Sequence, residues 1–518
     1  MGLNAGTVQI RGSFCIEAIP KPAGITIFGA SGDLTFRKLI PSLYNLFTRT
    51  LLPASFYIIG VARSQFTDDT FRERMTEAIK NRFPGVSNES VKSFLRHCFY
   101  ISGNYQDEAL YRNLISRLNQ LDKQCKPERN HIFHLATPPN VYKDIISHLG
   151  ASKLTREESL KDVIEARVII EKPFGRDLES ATDLDRTLSK VLSERQIYRI
   201  DHYLGKETVQ NILLFRFANS IFEPIWNRRY IDNIQITVSE SVGIEHRAGY
   251  FEQSGLLRDM FQNHMLQMLS IVTMEPPISF DADRVRDEKV KLLRAIRPIP
   301  IDTLSERVVR AQYESGEIGE KSVPGYRNEK GVEADSTVET FVAAKILIEN
   351  WRWQGVPMYL RAGKRLNRKS SKIVVSFKNV PHSMFVPLTP EDLKPNVLVF
   401  HVQPEEGISL DIQAKHPGPK LCMDTLDMNF RYSDVFEGEL PDAYERLLLD
   451  CMLGDQTLFI RSDDVEVSWS LITPILRAWE NDTDGSKTGA LYTYPAGSRG
   501  PSASEALLKR DGKAWVHV

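Results

Sequence analysis

A strand that runs directly into a glycine-rich turn constrains the fold of this chain more than any other feature. Residues 24–28 (GITIF) form a short β-branched and aromatic run, which predicts a buried strand. The turn GASGDL at 29–34 and a helical pattern to residue 47 follow it. This order is typical of a dinucleotide-binding turn, in which Gly29 permits the tight bend and Gly32 lets the backbone approach a pyrophosphate. The spacing departs from GxGxxG, however, and an ordinary strand–helix connection is an equal alternative.

The end of the next predicted strand indicates which dinucleotide would bind. Sites specific for NAD usually carry an acidic residue there, which holds the ribose hydroxyls. This chain has Arg63 and Ser64 at that place, after the run FYIIGVA at 56–62. An arginine can bind the additional 2′-phosphate of NADP, whereas a carboxylate would repel it. The sequence therefore favours NADP, and the alternative is a solvated arginine at a strand end.

Strands and helices continue to alternate to about residue 200. Helical patterns are found at 68–81, 87–97, 110–121 and 141–149, and strand-like runs at 131–136 and 167–171. Such alternation predicts a parallel sheet, which binds ligands at the carboxyl ends of its strands. Arg63, Pro139, Lys172 and Asp201 all lie at predicted strand ends. Pro173 is compatible with a cis peptide bond, which would aim Lys172 into the cleft.

The segment RIDHYLGK at 199–206 concentrates polar groups at the last of these strands. We expect a strand over 196–200 and a helix that begins near Tyr203, whose free N–H groups suit a phosphate. His202, Tyr203 and Lys206 add donors for phosphate oxygens. A carboxylate would repel such a ligand, so Asp201 is expected to have another partner.

From about residue 205 the pattern changes to the period-two alternation of half-exposed antiparallel strands, as in IDNIQITVSE at 231–240. Similar runs recur at 338–350, 357–360, 373–377, 397–403, 408–414 and 426–432, and a hairpin turn is predicted at 349–356. The predicted fold class is an α/β, Rossmann-like dinucleotide-binding domain followed by a larger α+β domain with one large, mainly antiparallel sheet. We expect a flexible extension at 1–22, the first domain at 23–204 and the second at 205–518. One face of this sheet needs a cover of helices, and the other could pair with a second subunit.

A helix predicted over 252–274 carries the most informative histidine. His264 falls in its apolar stripe, where a histidine is commonly a core residue with satisfied hydrogen bonds. Asp259 lies about 140° around an α-helix from His264 and is a poor partner. Asp201 is the better candidate, because a carboxylate bonded to one ring nitrogen would fix the tautomer and leave the other nitrogen as a general base.

Charge and cysteine usage exclude several classes of protein. Basic residues cluster once, in KRLNRKSSK at 364–372, where a solvated loop and a second set of phosphate or sugar contacts are equal alternatives. Nucleic acid is disfavoured, because aromatic interleaving is absent and the 518-residue chain has a net charge of −1. The apolar runs are too short for a membrane span. Five scattered cysteines favour a reducing, cytoplasmic location and form no CxxC motif, and we expect no metal.

Six motifs together resemble the glucose-6-phosphate dehydrogenase family, in order and from about residue 23 to the C-terminus. They are GASGDLTFRK at 29–38, EKPFG at 171–175, RIDHYLGKE at 199–207, RDMFQNH at 258–264, DAYERLLLD at 442–450 and SRGP at 498–501. RIDHYLGKE is very specific, whereas GxxGDL alone is not. The resemblance implies oxidation of β-D-glucose 6-phosphate to the 6-phospholactone with hydride transfer to NADP+, the first step of the pentose phosphate pathway.

The resemblance also implies roles for individual residues, carried over by motif position. His264 would be the general base, and Asp201 would orient it. The implied substrate contacts are Lys172, His202, Tyr203, Lys206, Glu240, Asp259, Lys364, Lys369 and Gln403. The implied cofactor contacts are Gly29, Ala30, Ser31, Gly32, Asp33, Leu34, Lys38, Arg63, Tyr142 and Lys172. The expected assembly is a homodimer or a homotetramer.

One departure concerns a second, structural NADP+ that some members of the family bind in the large domain. Arg361 and Arg499 are in place, but the other matching positions carry Ser370, Val374, His401, Ser409 and Asp411. The loss of several cations and the gain of an acid disfavour a ligand with three negative phosphate groups. We therefore expect this second site to be absent or weak.

Two alternatives stand beside this interpretation. The first is another NADP-linked hexose-phosphate dehydrogenase with a broader sugar range. The second is a cofactor-binding regulator that has lost catalysis, and the presence of Asp201, His264 and the phosphate-binding residues argues against it.

Overall fold

The computed structural model describes residues 19–126, 130–156, 166–419, 422–436, 440–482 and 488–517. Of the extension predicted at 1–22, the first 18 residues lie outside this described part. Among the described helices, none combines the length and the apolar character needed to cross a membrane.

The first part of the chain is built on six described parallel strands in the order β3-β2-β1-β4-β5-β6. They are β1 (Ala23–Phe28), β2 (Phe56–Ala62), β3 (Cys98–Ser102), β4 (His131–Leu135), β5 (Ala166–Ile170) and β6 (Ile197–Arg199). The helices between them are α1 (Ile40–Thr48), α2 (Asp68–Arg82), α3 (Asn88–Leu95), α4 (Glu108–Cys125), α5 (Tyr142–Ala151) and α6 (Leu178–Ser189), and a π-helical turn (Thr35–Leu39) precedes α1. The strand order reverses between β1 and β4, and ligands bind at such a switch point in open α/β sheets.

The second sheet has nine described strands in the order β16-β15-β14-β13-β7-β12-β11-β8-β17. They are β7 (Ile231–Ser239), β8 (Val308–Glu314), β11 (Phe341–Leu347), β12 (Pro357–Gly363), β13 (Ser370–Phe377), β14 (Val397–Gln403), β15 (Gly407–Lys415), β16 (Met423–Arg431) and β17 (Leu491–Pro495), and β9 (Gly316–Ile318) with β10 (Lys321–Val323) forms a separate hairpin. Six of its eight pairings are antiparallel, whereas β7 with β12 and β8 with β17 are parallel. The predicted fold class is confirmed, including the hairpin between β11 and β12.

Helices accompany this sheet along the second part of the chain. They are α7 (Glu207–Phe217), α8 (Ala248–Leu256), α9 (Leu266–Thr273), α10 (Ala282–Arg294), α11 (Leu304–Arg307), α12 (Tyr432–Val435), α13 (Ala443–Leu453), α14 (Ser462–Asn481) and α15 (Ser502–Lys509). The boundary expected near residue 205 stays a prediction.

The single helix predicted over 252–274 is wrong, and the difference matters for the site. A π-helical segment (Leu257–Met265) separates α8 from α9, and Gly255 interrupts the helical backbone with φ +61°. A Cβ on Gly255 would lie 2.5 Å from the Glu339 carboxylate. In a π-helix the hydrogen bonds run from residue i to i+5, so residues five apart share a face.

Two boundaries around RIDHYLGK also differ from the prediction. The strand is β6 (Ile197–Arg199) rather than 196–200, and the helix begins at Glu207 rather than near Tyr203. Residues 201–206 form successive turns instead. A Cβ at position 205 would lie only 2.7 Å from the carbonyl oxygen of Ala443, so these turns require Gly205. Sequence periodicity also missed the five-residue strand β3, which is too short to show a pattern.

Candidate active site

Asp201 and His264 meet in the buried interior, 63 positions apart in the chain. Nδ1 of His264 lies 2.5 Å from Oδ1 of Asp201, and both residues are 1% exposed. Oδ1 also accepts the Tyr203 backbone N–H at 2.9 Å. A carboxylate only accepts hydrogen bonds, so Nδ1 carries the proton and Nε2 keeps its lone pair. The expected partner of Asp201 is therefore present.

Burial and the neighbouring charges set the protonation states of this pair. Burial lowers the pKa of His264. The Asp201 carboxylate raises this pKa, the Lys172 ammonium lowers it further, and the net shift is downward. Burial raises the pKa of Asp201, but the facing imidazole outweighs it and the net shift is again downward. At neutral pH the pair is thus a carboxylate beside a neutral imidazole, as a general base requires.

Lys172 contacts the second ring nitrogen of His264. It follows β5 and a cis peptide bond joins it to Pro173. Its Nζ lies 2.8 Å from Nε2 of His264, 3.0 Å from the carbonyl oxygen of Asp259 and 3.3 Å from Oδ1 of Asp259. Burial raises the pKa of Asp259, but the Lys172 and Lys364 cations outweigh it and keep this pKa below its ordinary value.

The expectation that Asp259 is a poorer partner for His264 than Asp201 is confirmed, because Asp201 bonds Nδ1, but the argument behind it is wrong. It assumed α-helical geometry, whereas both residues are in the π-helical segment, where five positions bring them to one face. Lys172 contacts both side chains as a result.

Two of the three predicted phosphate ligands contact the same imidazole, and the third, Lys206, lies over the Tyr203 ring. The Tyr203 ring lies 4.5 Å from the His264 ring and the His202 ring lies 4.6 Å from it, measured between centroids. Lys206 Nζ donates to Gln403 Oε1 at 3.1 Å, and Gln403 Nε2 donates to the Tyr203 hydroxyl at 3.2 Å. Burial, followed by the charges of His264 and Lys172, lowers the pKa of His202, so it is neutral at pH 7.

The start of α7 is not an open anion site, contrary to the prediction. The backbone N–H and the hydroxyl of Thr208 both donate to Oε2 of Glu406 at 2.9 Å. A carboxylate of the chain itself thus faces the first turn of the helix. The donors available to an anion are the side chains of His202, Tyr203 and Lys206.

Glu240 and Lys364 form an ion pair at the edge of this cluster. Lys364 Nζ lies 2.5 Å from Oε2 of Glu240, and Lys364 is 1% exposed. The solvated-loop interpretation of 364–372 is thus wrong for Lys364, and it fits only residues 367–369, which are exposed. The charge of Lys369 contributes, after burial, to lowering the pKa of Lys206.

Sequence reasoning missed two further side chains of this cluster. The Ser371 hydroxyl is fully buried, accepts from Gln403 Nε2 at 2.9 Å and lies 3.4 Å from the Tyr203 hydroxyl. The Tyr250 hydroxyl donates to Asp259 at 3.4 Å. Ser371 lies within the basic cluster at 364–372 and Tyr250 lies nine positions before Asp259, but neither residue belongs to one of the six motifs.

The glycine turn after β1 has the geometry of a dinucleotide cradle. Gly29 has φ +86°, and a Cβ there would lie 2.2 Å from the Ala136 carbonyl oxygen. A Cβ on Gly32 would meet only the Gly29 carbonyl, at 3.1 Å, so the other side of Gly32 is open. Ser31 accepts a hydrogen bond from Ser64 at 2.9 Å, which joins the turn to the end of β2. These residues fit a bound pyrophosphate.

The remaining predicted cofactor residues differ in exposure. Arg63 is exposed at the end of β2, and Asp33 is exposed and pairs with Arg37. Ala30 is buried and Leu34 half-buried. Lys38 Nζ lies 2.5 Å from Oδ2 of Asp442, which starts α13.

Tyr142 is fully buried, and its hydroxyl donates to the Glu171 carbonyl at 2.9 Å. The hydrogen bond fixes the backbone next to Lys172. A direct contact of Tyr142 with a cofactor stays a prediction.

Within the described residues, one group could supply three metal ligands: Asp201, His202 and His264, whose ligand atoms lie within 4.8 Å of one another. Both nitrogens of His264 already have partners, Asp201 and the cation of Lys172. An ammonium at 2.8 Å repels a second cation, so we interpret this group as one that handles protons.

Family models match nearly the whole chain. The model described as "Glucose-6-phosphate dehydrogenase, NAD binding domain" matches residues 26–211, and the one described as "Glucose-6-phosphate dehydrogenase, C-terminal domain" matches residues 213–516.

Curated relatives and solved structures agree with these models. The glucose-6-phosphate 1-dehydrogenase of Aggregatibacter actinomycetemcomitans is 46% identical over 492 residues, which cover 95% of this chain and 96% of that protein. The one of Bacillus subtilis (strain 168) is 42% identical over 496 residues, with 96% and 98% covered. A structure of glucose-6-phosphate dehydrogenase in complex with its substrate glucose-6-phosphate has a TM-score of 0.86 and 37% identity, with 97% of this chain and 100% of that chain covered. The enzyme from Mycobacterium avium has a TM-score of 0.81 and 34% identity, with 97% and 99% covered.

Proposed function

The chain belongs to the glucose-6-phosphate dehydrogenase family, and on this premise we propose that it oxidises D-glucose 6-phosphate to 6-phospho-D-glucono-1,5-lactone with NADP+. The observation that carries the proposal is the His264 imidazole, which is bonded to Asp201 through Nδ1 and surrounded by Lys172, His202 and Tyr203. NADP+, when bound at the glycine turn, would supply the hydride acceptor.

His264 acts as the general base in this proposal. Its Nε2 removes the proton of the sugar C1 hydroxyl as the hydride leaves C1, and Asp201 stabilises the imidazolium that forms. Nε2 faces Lys172 Nζ in the structure. The substrate hydroxyl therefore replaces this contact, and the ammonium remains available to the sugar and to Asp259.

The phosphate of the substrate binds to His202, Tyr203 and Lys206. Lys206 supplies the charge, and its pKa is lowered by burial, so a dianionic partner compensates for a cation that has lost hydration. Gln403 and Ser371 hold the Tyr203 hydroxyl and Lys206 in place. Glu240, Asp259, Lys364 and Lys369 are the proposed sugar-side residues.

Arg63 would bind the 2′-phosphate of NADP+, since no acidic side chain stands directly after β2 to hold the hydroxyls of NAD. Gly29, Gly32 and Ser31 would hold the pyrophosphate, and Lys38, which pairs with Asp442, is the nearby cation.

We still predict that the binding site for a second, structural NADP+ is absent or weak. A cavity of about 260 Å³ is lined by Arg361, Arg368, Lys372, Arg499 and His517. The chain itself fills part of its surroundings, because Arg361 stacks 4.1 Å from the Trp515 ring and Lys372 donates to the Val516 carbonyl. A thermal shift with NADP+ that vanishes in Arg63→Ala would support the prediction, and one that persists would contradict it.

A homodimer, or a tetramer of two dimers, is proposed from the outer end of the second sheet. Most residues of β16 are exposed, including Leu426 (48%) and Met428 (58%). Apolar side chains on a long edge strand favour burial against another chain. Sedimentation compares the mass of the wild type with that of Met428→Lys. We expect the variant to dissociate, and an unchanged mass would contradict the proposed interface.

The proposed location is the cytoplasm, on the basis of the cysteine pattern.

The deciding experiment follows NADPH absorbance on addition of glucose 6-phosphate. His264→Asn is expected to lose about 10²–10⁴-fold in kcat, whereas His382→Asn, in an exposed loop, is the matched control. Intact turnover in His264→Asn would show that the base is another residue. Turnover of free glucose at a comparable kcat/KM would favour a dehydrogenase of broader range, and absence of turnover in the wild type would favour the regulator.

A further inference from the structure

A buried lysine, Lys289, lies close enough to Asp201 of the Asp201–His264 pair to feel its charge. Lys289, on α10, is 1% exposed, and its Nζ lies 3.5 Å from Oδ2 of Asp464 at the start of α14. A lysine is almost never fully buried unless it is paired. None of the six sequence motifs includes Lys289 or Asp464.

Three polar atoms of this region lack hydrogen-bond partners within the described part of the chain. They are Oδ2 of Asp201, Nζ of Lys289 and Oε1 of Gln267. Gln267 follows His264 by three positions, and its amide donates to Oδ1 of Asp464 at 2.7 Å. Buried polar atoms nearly always bond to protein or to ordered water, so water is the expected partner of these three atoms.

The charges that face Lys289 come from three elements. Asp464 on α14 and Asp201 after β6 attract its ammonium, and Arg286 on α10 itself repels it. Lys289 therefore acts on two carboxylates, and only one of them, Asp464, is within ion-pair distance. The charged groups that face His264 are Asp201, Lys172 and Asp259, and the neutral but titratable His202 faces it as well.

We propose that Lys289 is a positioning residue for the reaction, whose ammonium holds Oδ2 of Asp201 through a buried water. Asp464, which Gln267 holds through a hydrogen bond, anchors the ammonium, the water bridges it to Asp201, and Asp201 orients His264. In this arrangement Lys289 keeps Asp201 ionised and limits the proton affinity of the Asp201–His264 pair. The inference rests on the proposed function of that pair.

A purely structural role is the competing explanation, in which the ion pair only joins α10 to α14. The two explanations differ in what they predict for the pH profile. Loss of a structural ion pair lowers stability and leaves the acid limb of kcat/KM in place. Loss of a cation beside Asp201 makes the pair take up a proton more readily, which moves that limb to higher pH.

The experiment compares kcat/KM from pH 5 to 9 for the wild type, Lys289→Met, Lys289→Gln and Lys289→Arg. We expect the acid limb to move up by about one pH unit in the two neutral variants, by the loss of one nearby charge. Lys289→Arg keeps the charge and is expected to keep the wild-type limb. Lys345→Met, which removes a lysine from an ion pair with Asp511 remote from the site, is the matched control.

Lys289→Gln retains hydrogen bonding and keeps the inference testable if Lys289→Met does not fold. An acid limb unchanged from the wild type in either folded neutral variant would overturn the proposal and leave the structural role. Failure of the proposed function is a separate result, since it would show as full turnover in His264→Asn.

Discussion

The ammonium of Lys172 lies 2.8 Å from Nε2 of His264, the nitrogen left without a proton by the hydrogen bond from Nδ1 to Asp201. The Lys172 cation therefore lowers the pKa of His264, whereas the Asp201 anion on the other side of the ring raises it. The position of Lys172 also marks where a substrate hydroxyl would lie.

Lys172→Met is expected to move the acid limb of kcat/KM to higher pH. After burial, the Lys172 cation is one cause of the lowered pKa of His264, so its removal raises that pKa and the base becomes protonated at higher pH. The KM for glucose 6-phosphate is expected to rise as well. A pH profile from 5 to 9 measures both, with Lys143→Met as the control, since Lys143 pairs with Asp183 at the surface. A limb that stays in place or moves to lower pH would contradict this.

Asp201→Asn is expected to move the acid limb of kcat/KM to lower pH and to lower kcat about 10³-fold or more. The carboxylate raises the pKa of His264, and an amide N–H₂ in its place favours the wrong tautomer. The KM should change little, because Asp201 faces the imidazole. Asp122→Asn is the matched control, because Asp122 also bonds a histidine, His131, remote from the site. Near-normal kcat in Asp201→Asn would show that tautomer control is unimportant.

Arg63→Ala is expected to raise the KM for NADP+ about 10- to 100-fold, which corresponds to the loss of one hydrogen bond between charged groups. The kinetics with NAD+ should be unchanged, because NAD+ lacks the 2′-phosphate. The ratio of kcat/KM for the two dinucleotides measures the change, and Arg112→Ala on the exposed face of α4 is the control. An equal loss with both dinucleotides would mean that Arg63 contacts a part they share.

Gly29→Ala and Gly85→Ala separate backbone strain from steric conflict. Both glycines have positive φ, +86° and +88°, but a Cβ meets the Ala136 carbonyl at 2.2 Å in the first case and nothing within 4 Å in the second. Strain alone should cost about 1–2 kcal/mol at Gly85, and overpacking adds about 1–3 kcal/mol at Gly29.

Urea unfolding measures the two free energies, and the affinity for NADP+ provides an independent readout. Gly29→Ala should lose affinity, whereas Gly85→Ala should retain it. Equal unfolding free energies for the two variants would show that the turn after β1 relaxes around the added methyl group.

Much of the fold followed from local patterns. The run GITIF and the glycine turn predicted β1 and its connection to α1, and period-two alternation predicted most strands of the second sheet. Short elements escaped detection, as with β3, because five residues do not establish a period. The π-helical segment escaped too, because the Glu339 carboxylate that accepts the backbone N–H of Leu257 at its start is 82 positions away in the sequence.

The sequence by itself determined the chemical groups of the site: the glycine turn, Arg63 in place of an acid, and the polar residues of RIDHYLGK. These features depend on residue type and on spacing within one element. Tertiary structure alone decided that Lys172 contacts both His264 and Asp259, and that Glu406 rather than a phosphate faces the start of α7. The physical reason is that periodicity defines which face of an element is buried, whereas contacts between distant elements depend on how those faces pack together.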